Sequence, residues 1–426
     1  MPQSLRQGTS YLSFWLFLAI LIGLPHILWA RDFMPHPFEI DARAAVLMDA
    51  NSGDFVYGQN PKTRIKPASF VKILTLFLIF DAVKNGQVRL EDNVLISKKA
   101  WRTRGSKMFI RPGSQVPLVE LFKGIAVVSG NDACVASAEF LQGSEKSFVK
   151  KMNEKLADLG INDTQIRTVS GWPAPDQYTT AFDMALLARA YIQEHPEVLR
   201  YHRLKEFTSE GVRQRNRNGL LWRDTSVDGL KTGYTKKAGY HLLATAKREE
   251  QRFIAVVMDA ENPKVREREA LRLLNYGFRN YVSVPLFEKG QLLLALPVWK
   301  GQSNRVGLAA AESGVVTVPI SQKTQVSWQT ETPEKLLAPV QGGKHLGKAV
   351  ITVKDEVIKS VALVSEREVP QGGLLKTTAH SLALLVTAHK KSLISALLLI
   401  LLTTFLVWYR RQRRQNRRKR RRYLPA

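Results

Sequence analysis

Pro67-Ala68-Ser69-Phe70-Val71-Lys72-Ile73-Leu74-Thr75-Leu76-Phe77-Leu78-Ile79-Phe80 is apolar nearly all round. A helix with no polar face belongs in the middle of a domain, so this stretch predicts the central helix of a sizeable core. Ser69 and Lys72 lie three residues apart near its start, where both side chains share one face. A lysine stripped of water there has a lowered pKa and can act as a neutral base toward a serine hydroxyl. The start of the helix also offers free backbone N–H groups, the raw material of an oxyanion hole.

Ser-x-x-Lys alone is weak, because Ser147-Phe-Val-Lys150 repeats the tetrapeptide letter for letter. That copy precedes Lys151-Met152-Asn153-Glu154-Lys155, a charged amphipathic stretch in which the lysine stays protonated, so Ser69 is the expected nucleophile. Ser129-Gly130-Asn131 and Lys231-Thr232-Gly233 follow in order along the chain. Together the three motifs suit acyl transfer with a lysine base. Lys72 takes the proton, a nearby Lys231 disfavours charge on it, Ser129 relays the proton and Asn131 holds the acyl side. Lys231-Thr232-Gly233 is expected on an edge strand, where an extended peptide can pair with the main chain and Gly233 leaves its approach unblocked. Tyr234 would add a second backbone donor to the oxyanion hole, and Thr232 and Arg217 are candidates for gripping a terminal carboxylate.

Further out, Ala44–Met48 and Phe55–Tyr57 read as two strands, and Gly239–Ala246 and Phe253–Met258 as two more. Helical stretches lie between them, including one over Val119–Leu141 and one over Thr180–His195. Strands at both ends with helices between predict an α+β sandwich whose antiparallel sheet is assembled from the termini of the domain. From about Pro285 short alternating runs such as Ala349–Val353 indicate a small all-β domain.

Much of the net charge of +26 is local: ten of the thirteen residues Arg410–Arg422 are Arg or Lys. Just before them, the eighteen residues Ser392–Tyr409 carry no charge. At about 1.5 Å per residue they nearly span a bilayer core, and the basic tail then marks the cytoplasmic side. This favours a membrane anchor over a nucleic-acid-binding tail, and no nucleic-acid partner is expected. Residues 1–30 read as a secretory signal or N-terminal anchor, 31–284 as the catalytic domain and 285–373 as the β domain. An amphipathic juxtamembrane segment over 374–391, a transmembrane helix over 392–409 and a cytoplasmic tail over 410–426 complete the division. Cys134 is the only cysteine, so the chain forms no internal disulfide. The eight histidines show no His-Glu-x-x-His, and the chemistry calls for neither metal nor other cofactor.

Pro67-Ala68-Ser69-x-x-Lys72, Ser129-Gly130-Asn131-Asp132-Ala133 and Asp228-Gly229-Leu230-Lys231-Thr232-Gly233-Tyr234-Thr235 resemble the D-alanyl-D-alanine carboxypeptidases among the low-molecular-mass penicillin-binding proteins. The resemblance is strong over roughly Ala44–Ala260 and fainter at Leu337-Ala338-Pro339-Val340. It implies a transpeptidase-like fold and an extracytoplasmic site that removes the last D-alanine from peptidoglycan pentapeptide stems. It also implies acylation by penicillins and other β-lactams. Two features depart from the pattern: Tyr234 stands where some members have histidine, and the anchor reads as a true span rather than an amphipathic helix. The alternatives are a D,D-endopeptidase acting on cross-linked peptidoglycan and a non-catalytic penicillin-binding protein. A class A β-lactamase needs a glutamate after the second motif, and none lies between Leu159 and Phe182.

Overall fold

The computed structural model describes residues 37–379, 381 and 389–421. The segment read as a signal, 1–30, and residues 380 and 382–388 of the stretch read as juxtamembrane lie outside the described residues. The chain forms two compact units, one running up to Ser283 and taking in Thr317–Ile320, the other comprising Val284–Val316 and the chain from Ser321 onward.

The first unit is built on a five-stranded antiparallel sheet. Its strands are β1 (Ala44–Asp49), β2 (Phe55–Gln59), β3 (Val227–Thr235), β4 (Gly239–Arg248) and β5 (Gln251–Ala260), in the order β2-β1-β5-β4-β3. β3 is therefore an edge strand. Every residue of β1 is buried, yet the strand still alternates between two cores. Ala44, Val46 and Met48 join one core with Ile73, Phe77 and Leu187, while Ala45 and Leu47 join the other with Phe253, Leu273 and Leu274. Period-two side-chain direction thus places helices on both faces of the sheet.

The principal helices are α1 (Val71–Lys84), α2 (Leu118–Val128), α3 (Asn131–Gln142), α4 (Glu145–Asp158), α5 (Ala181–Glu194) and α6 (Pro263–Asn280). α1 buries eleven of its fourteen residues, as its all-round apolar sequence requires. The single helix expected over Val119–Leu141 is broken. Ser129 takes the left-handed conformation at φ 63°, which caps α2, and Gly130 then starts α3. α5 begins where the Thr180 side chain accepts from Asp183 N at 3.0 Å, an ordinary N-cap.

The second unit carries a six-stranded sheet, in the order Val326–Glu331, His345–Val353, Glu356–Ser365, Arg305–Ala310, Leu292–Trp299 and Leu336–Leu337. Lys354 and Asp355 join two of these strands with positive φ at both positions (50° and 67°), the backbone of a tight hairpin. Helix α7 (Lys390–Arg421) ends the described chain. Within it Ile394–Arg414 is long and apolar enough to cross a membrane.

Candidate active site

Ser69 sits in a 3-10 turn, Ala68–Phe70, that leads directly into α1. Pro67 fixes the entry, and Ala68 is held at φ 46°, a left-handed conformation that alanine adopts only under constraint. Gly171, itself at φ 79°, supplies that constraint. A Cβ on residue 171 would lie 1.7 Å from the Ala68 carbonyl oxygen, so only glycine lets the two backbones meet. On the other side, His241 Nε2 donates to the Lys66 carbonyl at 2.9 Å while its Nδ1 accepts from Asp259 N at 2.9 Å. That bonding fixes a neutral tautomer, and burial keeps the imidazole pKa low.

Lys72 follows within the first turn of α1. Its Nζ lies 3.0 Å from Ser69 Oγ and donates to the Ser170 carbonyl at 2.6 Å. One turn on, Thr75 Oγ1 donates to the Val169 carbonyl at 2.6 Å, so one face of α1 grips the Val169-Ser170-Gly171 loop twice. Lys72 is fully buried, and its pKa falls to about 8, chiefly through loss of water and secondarily through the Arg217 charge. Ser69 remains half-exposed and open to a substrate.

The second motif meets this pair at the α2–α3 break. Ser129 is buried, and its Oγ has no hydrogen-bond partner among the described residues. Asn131 donates from Nδ2 to the Arg104 carbonyl at 2.6 Å. Asp132 accepts from the backbone N–H groups of Met108 and Phe109, both at 3.0 Å, and so ties the 104–109 loop to the start of α3. Desolvation raises its pKa against those hydrogen bonds.

Edge strand β3 brings the third motif. Lys231 is buried, donates to the Thr232 carbonyl at 2.9 Å, and has its pKa pushed well down by burial and by the charges of Lys72 and Arg217. Two buried amines that repel one another share their protons, so the deficit belongs to the pair. Thr232 is buried, and Tyr234 is half-exposed with its ring stacked on Tyr240 at 4.2 Å. At Gly233 a Cβ would meet His241 at 3.3 Å and Ala68 at 3.4 Å. Its missing side chain lets β3 lie close against the turn of Ser69.

Arg217 is exposed and forms no ion pair among the described residues, yet its charge lowers both buried amines. Its neighbours pin the loop. Asn216 Nδ2 donates to the Leu204 carbonyl at 2.9 Å, and Asn218 Nδ2 donates to the Gly229 carbonyl at 3.0 Å. A cleft of about 310 Å³ opens beside the turn, lined by Ala68, Gly171, Pro173, Gln177, Thr235 and Lys237. Nearby Cys134 is buried and its thiol pushed up to about 12 by desolvation, so it offers no thiolate. Asp81, Glu194 and His195 could group around a metal ion. The Lys155 ammonium already occupies that place, 3.1 Å from Asp81 and 3.0 Å from Glu194.

Ser170, Gly171, His241 and Asp132 went unnoticed as site-builders in the sequence. Each acts through a contact distant along the chain, and only Asp132 sits beside a motif. The arrangement offers a hydroxyl against a dehydrated amine at a helix start, an edge strand and a guanidinium with no ion pair among the described residues. Such a set can attack a carbonyl, hold the resulting oxyanion and bind an extended peptide with a free carboxylate.

Comparison with known proteins agrees. Residues 31–262 match the family described as D-alanyl-D-alanine carboxypeptidase, and residues 281–371 match the penicillin-binding protein 5 C-terminal domain. The D-alanyl-D-alanine carboxypeptidase DacC of Escherichia coli is 40% identical over 342 residues, 78% of this chain and 86% of the relative. The crystal structure of penicillin binding protein 5 from Haemophilus influenzae superposes with a TM-score of 0.74 at 37% identity, covering 79% of this chain and 99% of that one. Penicillin-binding protein D2 of Listeria monocytogenes, solved with ampicillin bound, gives 0.53 at 29% identity, covering 57% of this chain and 98% of its own. The chain belongs to the D-alanyl-D-alanine carboxypeptidase family of serine peptidases.

Proposed function

We propose that this enzyme removes the last D-alanine from peptidoglycan pentapeptide stems through an ester formed on Ser69. The observation that carries the reading is the dehydrated Lys72 amine 3.0 Å from Ser69 Oγ. With Lys72 neutral, Oγ bonds to the carbonyl carbon of the penultimate D-alanine while its proton passes to Nζ. The backbone N–H groups of Ser69 and Tyr234 receive the oxyanion. Collapse breaks the C–N bond, and Ser129 relays the proton from Lys72 to the departing amine. Water then hydrolyses the ester and restores Ser69. Asn131, whose NH₂ is already engaged, has its amide oxygen to offer to the acyl-side peptide. Lys231 shares the proton deficit with Lys72, and the Thr232 hydroxyl with the Arg217 guanidinium grips the terminal carboxylate. Gly233 lets β3 sit close enough for Tyr234 to serve.

Penicillins and other β-lactams enter by the same route, their amide replacing the scissile bond. Brief penicillin exposure followed by digestion and mass spectrometry tests the assignment. The adduct is expected on the peptide holding Ser69, and an adduct on any other residue sinks it.

Apolar helix α7 supports membrane attachment. Leu397–Leu402 are each more than half exposed, and uncovered apolar surface of that length suits hydrocarbon. The basic tail then remains cytoplasmic, residues 1–30 direct export, and the catalytic unit works on the outer side. Protease added outside spheroplasts should digest the catalytic unit and spare an epitope at the C-terminus.

A further inference from the structure

A second cleft, of about 530 Å³, adjoins the acyl side of the site. Its lining includes Lys98, Arg102, Arg104, Glu145, Ser170 and Trp172. Two of these connect it to the reacting groups: Ser170 through its carbonyl on Lys72, and Arg104 through its carbonyl on Asn131 at 2.6 Å. The ten residues Lys98–Lys107 hold five cations and no carboxylate. Lys99 is neutralised by Glu145 at 2.6 Å, whereas Lys98, Arg102 and Arg104 form no ion pair among the described residues. The Trp172 ring walls one side and touches the loop, since a Cβ on Gly105 would lie 2.9 Å from it. With its carboxylate Glu145 already paired to Lys99, the cleft is left net positive by three cations unpaired among the described residues, and a net positive cleft favours anions.

We propose that this cleft is a specificity subsite for a carboxylate-bearing side chain on the acyl-donating part of the peptide, with Arg102 and Arg104 as its recognition groups. The proposal rests on Ser69 being the nucleophile, which makes the Asn131 side the acyl side. Guanidinium forks suit a carboxylate through paired hydrogen bonds, and their exposure keeps the gain modest.

The test uses soluble N-acetyl tripeptides ending in D-Ala-D-Ala whose first residue is glutamate or glutamine, and a second pair one methylene longer. The full chain in detergent should show kcat/KM about fivefold higher for the acid than for the amide in at least one pair. Arg102→Gln combined with Arg104→Gln should bring that ratio to about one. In the unmodified protein, raising salt from about 0.05 to 0.3 M should shrink the ratio two- to threefold by screening. A ratio near one for both pairs, or a ratio insensitive to the double substitution, overturns the subsite. Should the double variant fail to fold, the salt response of the unmodified protein decides, and a flat response counts against the proposal. Failure of the unmodified protein to form a penicillin adduct at Ser69 would sink the nucleophile reading instead, so the two failures are distinguishable.

Discussion

Two copies of Ser-Phe-Val-Lys occupy the same unit and share every atom of their side chains, yet they differ in almost every physical respect. In the first, Lys72 is fully buried and meets Ser69 at 3.0 Å. In the second, the Lys150 side chain is 82% exposed and pairs with Glu154 at 3.8 Å. Ser147 is turned to Ser144, whose hydroxyl lies 2.9 Å from its own and caps α4 by accepting from Ser147 N at 3.1 Å. The low pKa that suits the proposed base is therefore made by its surroundings: the dehydration of Lys72 on α1, which the exposed lysine of α4 does not share.

That contrast can be broken most sharply by removing each hydroxyl. Ser69→Ala should abolish D-alanine release and fluorescent-penicillin labelling, a loss of about 10⁶-fold or more, while Ser147→Ala retains both. Labelling retained by the first variant would break the comparison. Lys72→Arg, which keeps the charge and removes the titration, should slow acylation by about 10³-fold in stopped-flow measurements, and Lys150→Arg should do nothing. Titration gives the next effect. As the proposed base Lys72 would have to be neutral, and burial lowers its pKa to about 8, so the acylation rate should fall tenfold per pH unit below that value and level off above it. A rate flat down to pH 5 contradicts a lysine base. Gly171→Ala should destabilise the protein by about 2–4 kcal/mol, read as a lowered Tm, because both φ and the Ala68 carbonyl oppose a Cβ. The smallest change is the stability of Ser147→Ala, expected to stay within about 0.5 kcal/mol because the capping hydroxyl of Ser144 remains.

Much of this was legible from residues alone, for identifiable reasons. The all-round apolar character of α1 located the core and pointed to Ser69 as the candidate nucleophile, and β-propensity marked β1, β2, β4 and β5. The α2–α3 break was not visible, since Ser129 adopts a left-handed conformation for which serine gives no local signal. Ser170 lies 98 residues from Lys72, and no periodicity encodes so distant a contact. The close approach at Gly233 could not be read from the sequence, because the partners of its missing Cβ come from β4 and the turn before α1. Arg217 was picked as a candidate from its context in sequence, but that it forms no ion pair among the described residues could be seen only in three dimensions.

Ser129 has a thermodynamic consequence. A buried hydroxyl with no protein partner among the described residues, on a left-handed backbone, costs on the order of 1–3 kcal/mol wherever water does not reach it. A covalently attached acyl group that offers Ser129 an acceptor relieves it, so the acyl-enzyme should melt at a higher temperature than the resting form. Resistance to unfolding would then report occupancy of the site, and substitutions that rigidify residue 129 would trade turnover for heat tolerance.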